Sequence, residues 1–382
     1  MHLIFDARPI AQQFTGLGRY TASLLCTLLD YADAPGMRID VLLDAATDRE
    51  RNEHHLRLAA HAGRGRCQLY YLDAPAISLR QQWIVPGWVN CRGADAYFYP
   101  HFDVPLRIEV PITFVVHDLI PLLVPGYVQT LAWAKKAYFR EMIRLGLKRA
   151  ERCIAVSMTT RNDILRLMGM RYEKKVTVAP EGPVLAPGFA NQPVVIDMEI
   201  GRNYLLYVGD RRPHKNIRRV IDLFFELRAR HGYQGMLIIA GSTRNYGFDA
   251  EAHVAGRTDV RFLGNVSDAQ LSMLYSATDA LLFLSEYEGF GLPVVEAAHY
   301  GRRMILSDGG AIAEIAPPGA CVVGCDQPLD QVAGKVAEYL GKPGAPTPVE
   351  YFQHYSWQAA ARTIFPYAFA ATSAGTFATG VG

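Results

Sequence analysis

Short apolar runs recur along the whole chain, and most of them are bounded by glycine, proline or charged residues. Runs of four or five apolar residues with such boundaries are typical of strands that a parallel sheet buries on both faces. We predict strands over residues 3–5, 39–43, 96–99, 112–116, 153–156 and 175–178, and over residues 204–208, 236–240, 260–263 and 280–284. A stretch without periodicity separates the two sets, so the pattern divides the chain into two halves.

Between the strands, apolar residues recur at the three- and four-residue spacing of helices that are buried on one side. One such pattern is Tyr20, Leu24, Leu25 and Leu28. Within a long helix predicted over residues 127–150, Trp133, Tyr138, Ile143 and Leu147 are interpreted as spaced for burial. A glycine turn follows the first strand of each half. This alternation predicts an α/β protein in which two Rossmann-like domains face a central cleft.

The division into domains follows from length and from the prolines near the middle of the chain. The 382 residues suffice for two domains at about 100–200 residues each. We predict a first domain over residues 1–185, a linker over 186–200, a second domain over 201–355, a final helix over 356–372 and a disordered tail over 373–382. The linker assignment rests on prolines in a stretch that has no helical or strand period.

Composition excludes several classes of protein. Half of the residues are apolar and a fifth are charged, which is typical of a globular core, and a net charge of +2 makes no case for a nucleic-acid partner. The six cysteines are scattered without metal-ligand spacing, so we expect reduced thiols in a cytoplasmic protein. The first residues read as a strand rather than a signal peptide, and no apolar run approaches the roughly 20 residues that span a bilayer.

Residues 285–297 carry the most distinctive pattern. They follow an apolar run and enter a predicted helix with Pro293 in its first turn. In the turn between them, Gly289 and Gly291 are expected to take up positive φ and to let the backbone approach a ligand closely. The N–H groups of such a helix start bind anions, whereas Glu288 and Glu296 accept hydrogen bonds from hydroxyls. An anion site framed by two carboxylates predicts a sugar nucleotide, which has hydroxyls at both ends and a diphosphate between them.

A second glycine turn, over residues 209–216, contains Arg211, Arg212 and Lys215. Such cations repel one another unless an anion lies between them, and charge-assisted hydrogen bonds to phosphate are about twice as strong as neutral ones. Solvated surface charges are the alternative explanation. The pattern favours a diphosphate site at this turn.

Two weaker signals lie in the first half. Gly16 and Gly18 follow the first strand, but the third glycine of the dinucleotide fingerprint is missing, and a turn needed only for packing explains the pair equally well. His117 and Asp118 follow the strand predicted over 112–116. Open α/β sheets place ligands at the carboxyl ends of their strands, so His117 is a candidate ligand contact, whereas Asp118 is expected to hold the loop.

The two glutamates stand eight positions apart, and this stretch resembles the two-glutamate signature of retaining glycosyltransferases of the GT-B type. Further matching segments are D-A-R-P, G-x-G-R-Y-T, H-D-L-I-P, P-x-K-N and F-L-G, so the resemblance extends over nearly the whole chain. Within that family the chain looks most like bacterial mannosyltransferases that build O-antigen and exopolysaccharide. The resemblance implies the GT-B fold, with the final helix crossing back to the first domain.

The resemblance also implies roles for single residues. His117 and Glu288 contact the donor sugar, Glu296 contacts the ribose, and Lys215 binds the diphosphate together with Arg211 or Arg212. The remaining predicted donor contacts are Gly16, Gly18, Asn265, Phe290, Gly291 and Leu292. We class His117, Glu288, Lys215 and Arg211 as catalytic candidates.

The implied chemistry is hexose transfer with retention of configuration, with GDP-mannose as the expected donor and no further cofactor. The Asp-x-Asp motif that holds a diphosphate-bound metal is missing, so we expect no metal requirement. Residues 298–303 depart from the family pattern near the nucleotide end, which leaves UDP- or dTDP-sugars open. A nicotinamide-dependent sugar-nucleotide enzyme and an inactive sugar-nucleotide binder are alternatives from other classes, disfavoured by the incomplete glycine fingerprint and by the presence of both glutamates.

The expected acceptor is a saccharide, with a polyprenyl-diphosphate-linked glycan as the specific hypothesis. Lys135, Lys136 and Arg140 give the helix over 127–150 a basic side, and Trp83 and Trp88 are expected to be exposed nearby. Solvation is the ordinary explanation of a basic face, and attraction to anionic lipid is the alternative. The expected location is therefore the cytoplasm, with peripheral contact to the inner face of the membrane.

Overall fold

The computed structural model describes residues 1–12, 15–125, 132–185, 203–244 and 246–370. Within these ranges the chain forms two sheets in which every paired strand is parallel. The predicted α/β class with two Rossmann-like domains is therefore confirmed. The linker predicted over 186–200 and the tail predicted over 373–382 lie outside the described residues.

The first sheet has seven strands in the order β3-β2-β1-β4-β5-β6-β7. Its strands are β1 His2–Asp6, β2 Arg38–Asp44, β3 Gln68–Leu72, β4 Ala96–Tyr99, β5 Ile112–Val116, β6 Arg152–Ala155 and β7 Val176–Val178. The helices of this half are α1 Gly16–Tyr31, α2 Glu53–Gly63, α3 Gln81–Asn90, α4 Ile120–Leu123, α5 Ala132–Arg149 and α6 Met158–Met168, with 3-10 turns at Arg8–Ala11 and Met170–Lys175.

The second sheet has six strands in the order β10-β9-β8-β11-β12-β13. Its strands are β8 Tyr204–Val208, β9 Met236–Ala240, β10 Val260–Gly264, β11 Ala280–Phe283, β12 Arg303–Ser307 and β13 Cys321–Val323. The later helices are α7 Ile217–His231, α8 Ala250–His253, α9 Asp268–Ala277, α10 Leu292–His299, α11 Ile312–Ile315, α12 Leu329–Leu340, α13 Val349–His354 and α14 Trp357–Ile364, with 3-10 turns at Pro213–Lys215 and Pro366–Ala368.

Both sheets share one topology, in which the chain starts at an inner strand, moves outward, and then crosses back to the other side of that strand. The reversal lies between β1 and β4 in the first sheet and between β8 and β11 in the second. Ligands of open α/β sheets bind at such reversals, outside the carboxyl ends of the strands. The loops after these four strands are therefore the places where functional side chains are expected.

Two features of the predicted helices are wrong in detail. Helix α1 begins at Gly16, so the segment predicted as a turn is already its first helical turn. In α5, Ile143 and Leu147 are buried as predicted, but Trp133 is 78% exposed and Tyr138 is 40% exposed. Both aromatic residues lie off the stripe that faces the sheet, because that stripe passes through Phe139, Ile143 and Leu147. The start predicted at residue 127 lies outside the described residues.

The end of the chain returns to the first half of the molecule. The indole N–H of Trp357, at the start of α14, donates to the carbonyl of Pro183 over 2.9 Å. The ring of Phe365 packs between Phe5 and Phe98, with centroid distances of 5.9 and 5.0 Å. One apolar core consequently joins side chains of the first sheet, the second sheet and the final helix.

Candidate active site

The predicted strand, turn and helix over residues 285–297 are present. Strand β11 ends at Phe283 and α10 begins at Leu292, with Pro293 in its first turn. Gly291 precedes the helix at a φ of 128°, in the region that favours glycine. Glu288 and Glu296 are 7% and 3% exposed, so both carboxylates are buried at opposite ends of this turn.

Glu288 pairs with Lys215. The Nζ atom of Lys215 donates to Oε1 of Glu288 over 2.6 Å, and both side chains are mostly buried. The two residues follow β8 and β11, which are neighbours in the sheet, so the topology brings them together at the reversal. The lysine predicted for the diphosphate therefore lies beside the glutamate predicted for the donor sugar.

The two arginines of the 209–216 turn are held differently. Arg211 is 5% exposed, donates to Glu251 over 2.6 Å and lies over the ring of Phe262. The side chain of Arg212 is 42% exposed and pairs with Asp210 at 3.0 Å. In this arrangement Arg211 is engaged by a carboxylate on α8, whereas Arg212 is more accessible. Which of them binds a diphosphate stays a prediction.

Glu296 is surrounded by polar groups from both halves of the chain. The hydroxyl of Tyr275 donates to Oε2 of Glu296 over 2.9 Å, and the Tyr275 ring stacks on Tyr300 at 5.6 Å. Burial raises the pKa of Glu296 to about 7, although the charge of Arg19 and hydrogen bonds from Tyr275 and the Leu185 amide oppose the increase. A carboxylate in this state is a strong acceptor for hydroxyls such as those of a ribose.

The glycines of the first half play different parts. A Cβ atom at Gly18 would lie 2.4 Å from the carbonyl oxygen of Gln12, so packing alone requires glycine there. Gly16 is exposed, and a Cβ atom would meet nothing within 4 Å, which leaves its backbone open to a ligand. The next basic side chain, Arg19, forms an ion pair with Asp268 of the second domain.

His117 uses both ring nitrogens within the protein. Its Nε2 atom donates to the carbonyl of Pro100 over 2.9 Å, and Nδ1 lies 3.3 Å from the carboxylate of Glu181. Burial by itself lowers the pKa of His117, but the hydrogen bonds to Glu181 and Pro100 outweigh it and raise the pKa. These hydrogen bonds favour the cationic form of His117 more than a solvated imidazole does, and contact with a donor sugar requires exchange of one of these partners.

The loops of the two domains touch directly at Gly289. A Cβ atom at Gly289 would lie 1.9 Å from the carbonyl oxygen of His117 and 2.7 Å from Cβ of Asp118. The hydroxyl of Ser157 donates to the Gly289 carbonyl over 2.7 Å. We predicted a positive φ and close approach to a ligand at Gly289, but its φ is not positive and the close approach is to the other domain. Asp118 accepts the Ile120 amide and so holds its own loop, as expected.

The other predicted contacts lie around these groups. Asn265 is exposed directly after β10. Phe290 is 5% exposed in the apolar core, and Leu292 is the first residue of α10. The backbone between the two glutamates is thus anchored by a buried ring. Among the described residues, no group of three His, Cys, Asp or Glu side chains is arranged to hold a metal ion.

Sequence reasoning missed a polar cluster after β4. His101 and Asp103 follow that strand, their side chains are 2.5 Å apart, and Asp103 is fully buried. The signal was the same as for His117 and Asp118, namely polar residues directly after a buried strand. Glu181, the partner of His117, carries the same signal, because it stands shortly after the end of β7.

Comparison with known proteins assigns both halves of the chain. Residues 16–183 match the family model Glycosyltransferase Family 4, and residues 193–350 match the model Glycosyl transferases group 1. O-antigen chain mannosyltransferase B of Escherichia coli is 26% identical over 365 residues, which are 89% of this chain and 91% of that protein.

A second relative matches over a shorter stretch. O-antigen chain mannosyltransferase RfbU of Salmonella typhimurium is 29% identical over 229 residues, 59% of this chain, and the match spans only 60% of that protein. Among solved structures, Anabaena Alr3699/HepE in complex with UDP-glucose is 16% identical, with a TM-score of 0.66 over 96% of this chain and 98% of that one. At that identity the likeness shows the fold. With a family 4 domain followed by a group 1 domain, the chain belongs to the glycosyltransferases of the GT-B fold.

Proposed function

We propose that this glycosyltransferase transfers mannose from GDP-mannose to a saccharide acceptor, with retention of the anomeric configuration. The observation that carries the proposal is the pair of Lys215 and Glu288, 2.6 Å apart at the sheet reversal and next to the start of α10. The choice of mannose rests on the E. coli mannosyltransferase that matches 89% of the chain.

The donor diphosphate fits the cationic side of this site. Lys215, one of Arg211 and Arg212, and the positive end of the α10 dipole all favour negative charge. Charge grows on the diphosphate as the bond to the sugar breaks, so donors that are fixed in place stabilise the transition state more than the ground state. One such donor contributes on the order of 3 kcal/mol to lowering the barrier.

The carboxylates fit the two ends of the donor. Glu288 lies beside Lys215 and would accept hydrogen bonds from sugar hydroxyls, while Glu296 with Tyr275 would bind the ribose. Because Glu288 is already paired with a cation, it suits hydroxyl binding better than nucleophilic attack. Retention then follows a front-face route, in which the departing phosphate oxygen takes the proton of the attacking acceptor hydroxyl.

The acceptor in this proposal is a glycan carried on a polyprenyl diphosphate at the membrane surface. Trp133 and Tyr138 are exposed on helix α5 of the first domain, which also carries the basic residues, and Trp83 is exposed on α3. Trp88 contributes less than predicted, because it is half-buried against Tyr70. No helix in the described part of the chain is long and apolar enough to cross a bilayer.

A UDP- or dTDP-sugar is the second candidate donor. Tyr300, Arg302 and the rest of residues 298–303 depart from the family pattern, and Tyr300 stacks on the tyrosine that holds Glu296. A solved structure of the same fold contains UDP-glucose. These observations concern the nucleotide end of the site and leave the transfer chemistry unchanged.

The test is a panel of GDP-mannose, GDP-glucose, UDP-glucose, UDP-galactose and dTDP-rhamnose. We expect GDP-mannose alone to raise the melting temperature, to be slowly hydrolysed, and to donate mannose to octyl α-mannopyranoside with the new linkage in the α configuration. Turnover of a UDP- or dTDP-sugar instead of GDP-mannose would show that this other sugar nucleotide is the donor. A β linkage from an α-configured donor would overturn retention.

A further inference from the structure

The loop after β4 contains a histidine whose orientation is set by a buried carboxylate. Nδ1 of His101 lies 2.5 Å from Oδ1 of Asp103, which has no exposed side-chain surface, whereas His101 keeps 16% of its own. The imidazole also packs on Phe102 at a centroid distance of 4.3 Å, and Phe102 packs on Phe139 of α5 at the same distance. The ring is therefore held on two sides.

Asp103 is itself held as an anion. Gln81 donates to its Oδ2 over 2.6 Å, and the Tyr99 hydroxyl donates to its Oδ1 over 3.1 Å. Burial alone would raise the pKa of Asp103, but the hydrogen bonds from His101, Tyr99 and Gln81 lower it. An anionic Asp103 accepts the Nδ1 proton of His101, so in the neutral imidazole the lone pair lies on Nε2. That atom has no hydrogen-bond partner within the described ranges.

The histidine lies at the reversal of the first sheet, close to the reacting groups of the proposed function. The neighbouring Pro100 carbonyl accepts the Nε2 proton of His117, and Gly289 touches the His117 carbonyl from the other domain. Burial and the charge of Glu288 raise the pKa of Asp118, while the charges of His117 and His101 lower it, which places all four groups in one electrostatic neighbourhood. His101 thus follows Pro100 in the first domain, beside the His117 loop that touches Gly289 of the second domain.

We propose that His101 is an acceptor-binding residue, whose Nε2 atom receives a hydrogen bond from a hydroxyl of the acceptor saccharide and so selects which hydroxyl reaches the donor sugar. Asp103 is a positioning residue that fixes the tautomer and the ring plane. This inference rests on the proposed transferase function and does not depend on which sugar nucleotide is the donor.

Two substitutions separate contact with the acceptor from support of the loop. In His101→Asn the amide N–H₂ replaces Nδ1 and keeps the bond to Asp103, but nothing replaces Nε2. In His101→Gln the amide reaches the Nε2 position. We expect His101→Asn to raise the KM for octyl α-mannopyranoside about threefold to tenfold, the loss of one neutral hydrogen bond, and His101→Gln to raise it less. The donor KM should stay within twofold, and the exposed His231→Asn should change neither value.

The tautomer gives a second readout that needs no acceptor. In protein with selectively ¹⁵N-labelled histidine at pH 8, we expect the His101 resonances to show the proton on Nδ1, and His101→Gln identifies them. A proton on Nε2 would overturn the proposal, as would an unchanged acceptor KM in His101→Asn, or an increase in the donor KM alone. If His101→Asn lowers the melting temperature, the test of acceptor binding by His101 depends on the tautomer and on the His101→Gln kinetics. The assay uses whichever sugar nucleotide of the panel is turned over, so a wrong donor assignment does not affect it.

Discussion

Glu296 is a buried acid whose function and contribution to stability oppose each other. It is 3% exposed, and burial raises its pKa from 4.5 to about 7. Between these two values the native chain binds more protons at this position than the unfolded chain does. The free energy of unfolding therefore falls as the pH rises through this window, by on the order of 3 kcal/mol in total.

Replacing Glu296 by glutamine should remove that cost. We expect the melting temperature of Glu296→Gln, relative to wild type, to be clearly higher at pH 8 than at pH 5, while the affinity for the sugar nucleotide falls roughly tenfold to a hundredfold. Calorimetry at both pH values and a binding titration check the two parts. Glu350→Gln, at an exposed position, is the matched control. A stability difference that is the same at both pH values would contradict the assignment of the raised pKa to this carboxyl.

Lys215 is the residue at which the proposed stabilisation of the leaving group can be measured. We expect Lys215→Ala to lower kcat about 100- to 1,000-fold with the donor saturating, because its charge matters most as the diphosphate departs. Steady-state kinetics with the donor that the panel identifies check this. Lys342→Ala is the control, since Lys342 pairs with Glu338 on an exposed face.

EDTA provides the complementary measurement for Lys215. If protein cations alone stabilise the diphosphate, EDTA leaves most of the wild-type activity. Complete loss of activity in EDTA, restored by Mg²⁺ or Mn²⁺, would show that a metal ion shares this role. A Lys215→Ala variant with wild-type kcat would show that the lysine serves only to neutralise Glu288.

The sequence allowed the proximity of Lys215 and Glu288 to be predicted, because each follows a strand and the carboxyl ends of parallel strands meet at one edge. It did not allow the partner of Arg211 to be predicted. Glu251 stands 40 residues further along and carries no motif, so only the fold brings it to the guanidinium. Long-range ion pairs of this kind depend on the folded path of the chain.

At the scale of elements, the two domains meet through short loops and helix ends. The carboxylate of Glu314, on α11, accepts the amides of Met158 and Thr159 over 2.7 and 2.8 Å and so caps α6 of the other domain. Ser157 and Thr160, at the same helix start, donate to the Gly289 carbonyl. The signature loop is therefore positioned partly by the first domain.

Gly289→Ala tests how much catalysis depends on this contact. The added Cβ atom would lie 1.9 Å from the His117 carbonyl oxygen, so the loops must separate by about 1 Å to reach a contact of 3.0 Å. Misplacement on this scale can reduce turnover about a hundredfold, and we expect a loss of that size in kcat. Activity measurements and small-angle scattering check for an opened cleft.

Gly63→Ala is the matched control for Gly289→Ala. Gly63 is the last residue of α2, and a Cβ atom there would meet nothing within 4 Å. We expect this variant to keep its activity, with stability equal to or slightly above that of wild type, since alanine favours a helix over glycine by up to about 1 kcal/mol. Full activity of Gly289→Ala would show that the loops can separate without disturbing the reacting groups.

The elements that the sequence predicted least well are those in which apolar residues do not all lie on the buried face. Strand β3, at the edge of its sheet, was missed, because Gln68 is exposed and its other residues are only half-buried. The aromatic residues of α5 were predicted to be buried from their spacing, but the phase of the helix turns Trp133 outward. Hydrophobic spacing predicts which elements exist, whereas their faces depend on neighbours that the sequence does not show.

At the scale of the whole molecule, the exposed tryptophans and the basic residues of α5 raise the question whether the first domain contacts a membrane. Trp133 is 78% exposed and Trp83 is 58% exposed, and Lys135, Lys136 and Arg140 share α5 with the former. Tryptophan suits the head-group region of a bilayer, and each basic residue near anionic lipid contributes about 1 kcal/mol.

Sedimentation with liposomes tests this membrane surface. We expect wild type to bind vesicles that contain anionic phosphatidylglycerol, and not neutral ones, and binding to fade as salt rises, because charge is screened within about 8–10 Å at physiological ionic strength. Neutralising Lys135, Lys136 and Arg140 to glutamine should weaken partitioning roughly a hundredfold. The control removes three exposed charges from the second domain, at Arg230, Lys335 and Lys342, and should bind like wild type. Equal loss of binding in both triple variants would attribute binding to net charge. Equal sedimentation of all three proteins would show that Lys135, Lys136 and Arg140 are ordinary solvated residues of the first domain, and would favour a dissolved acceptor.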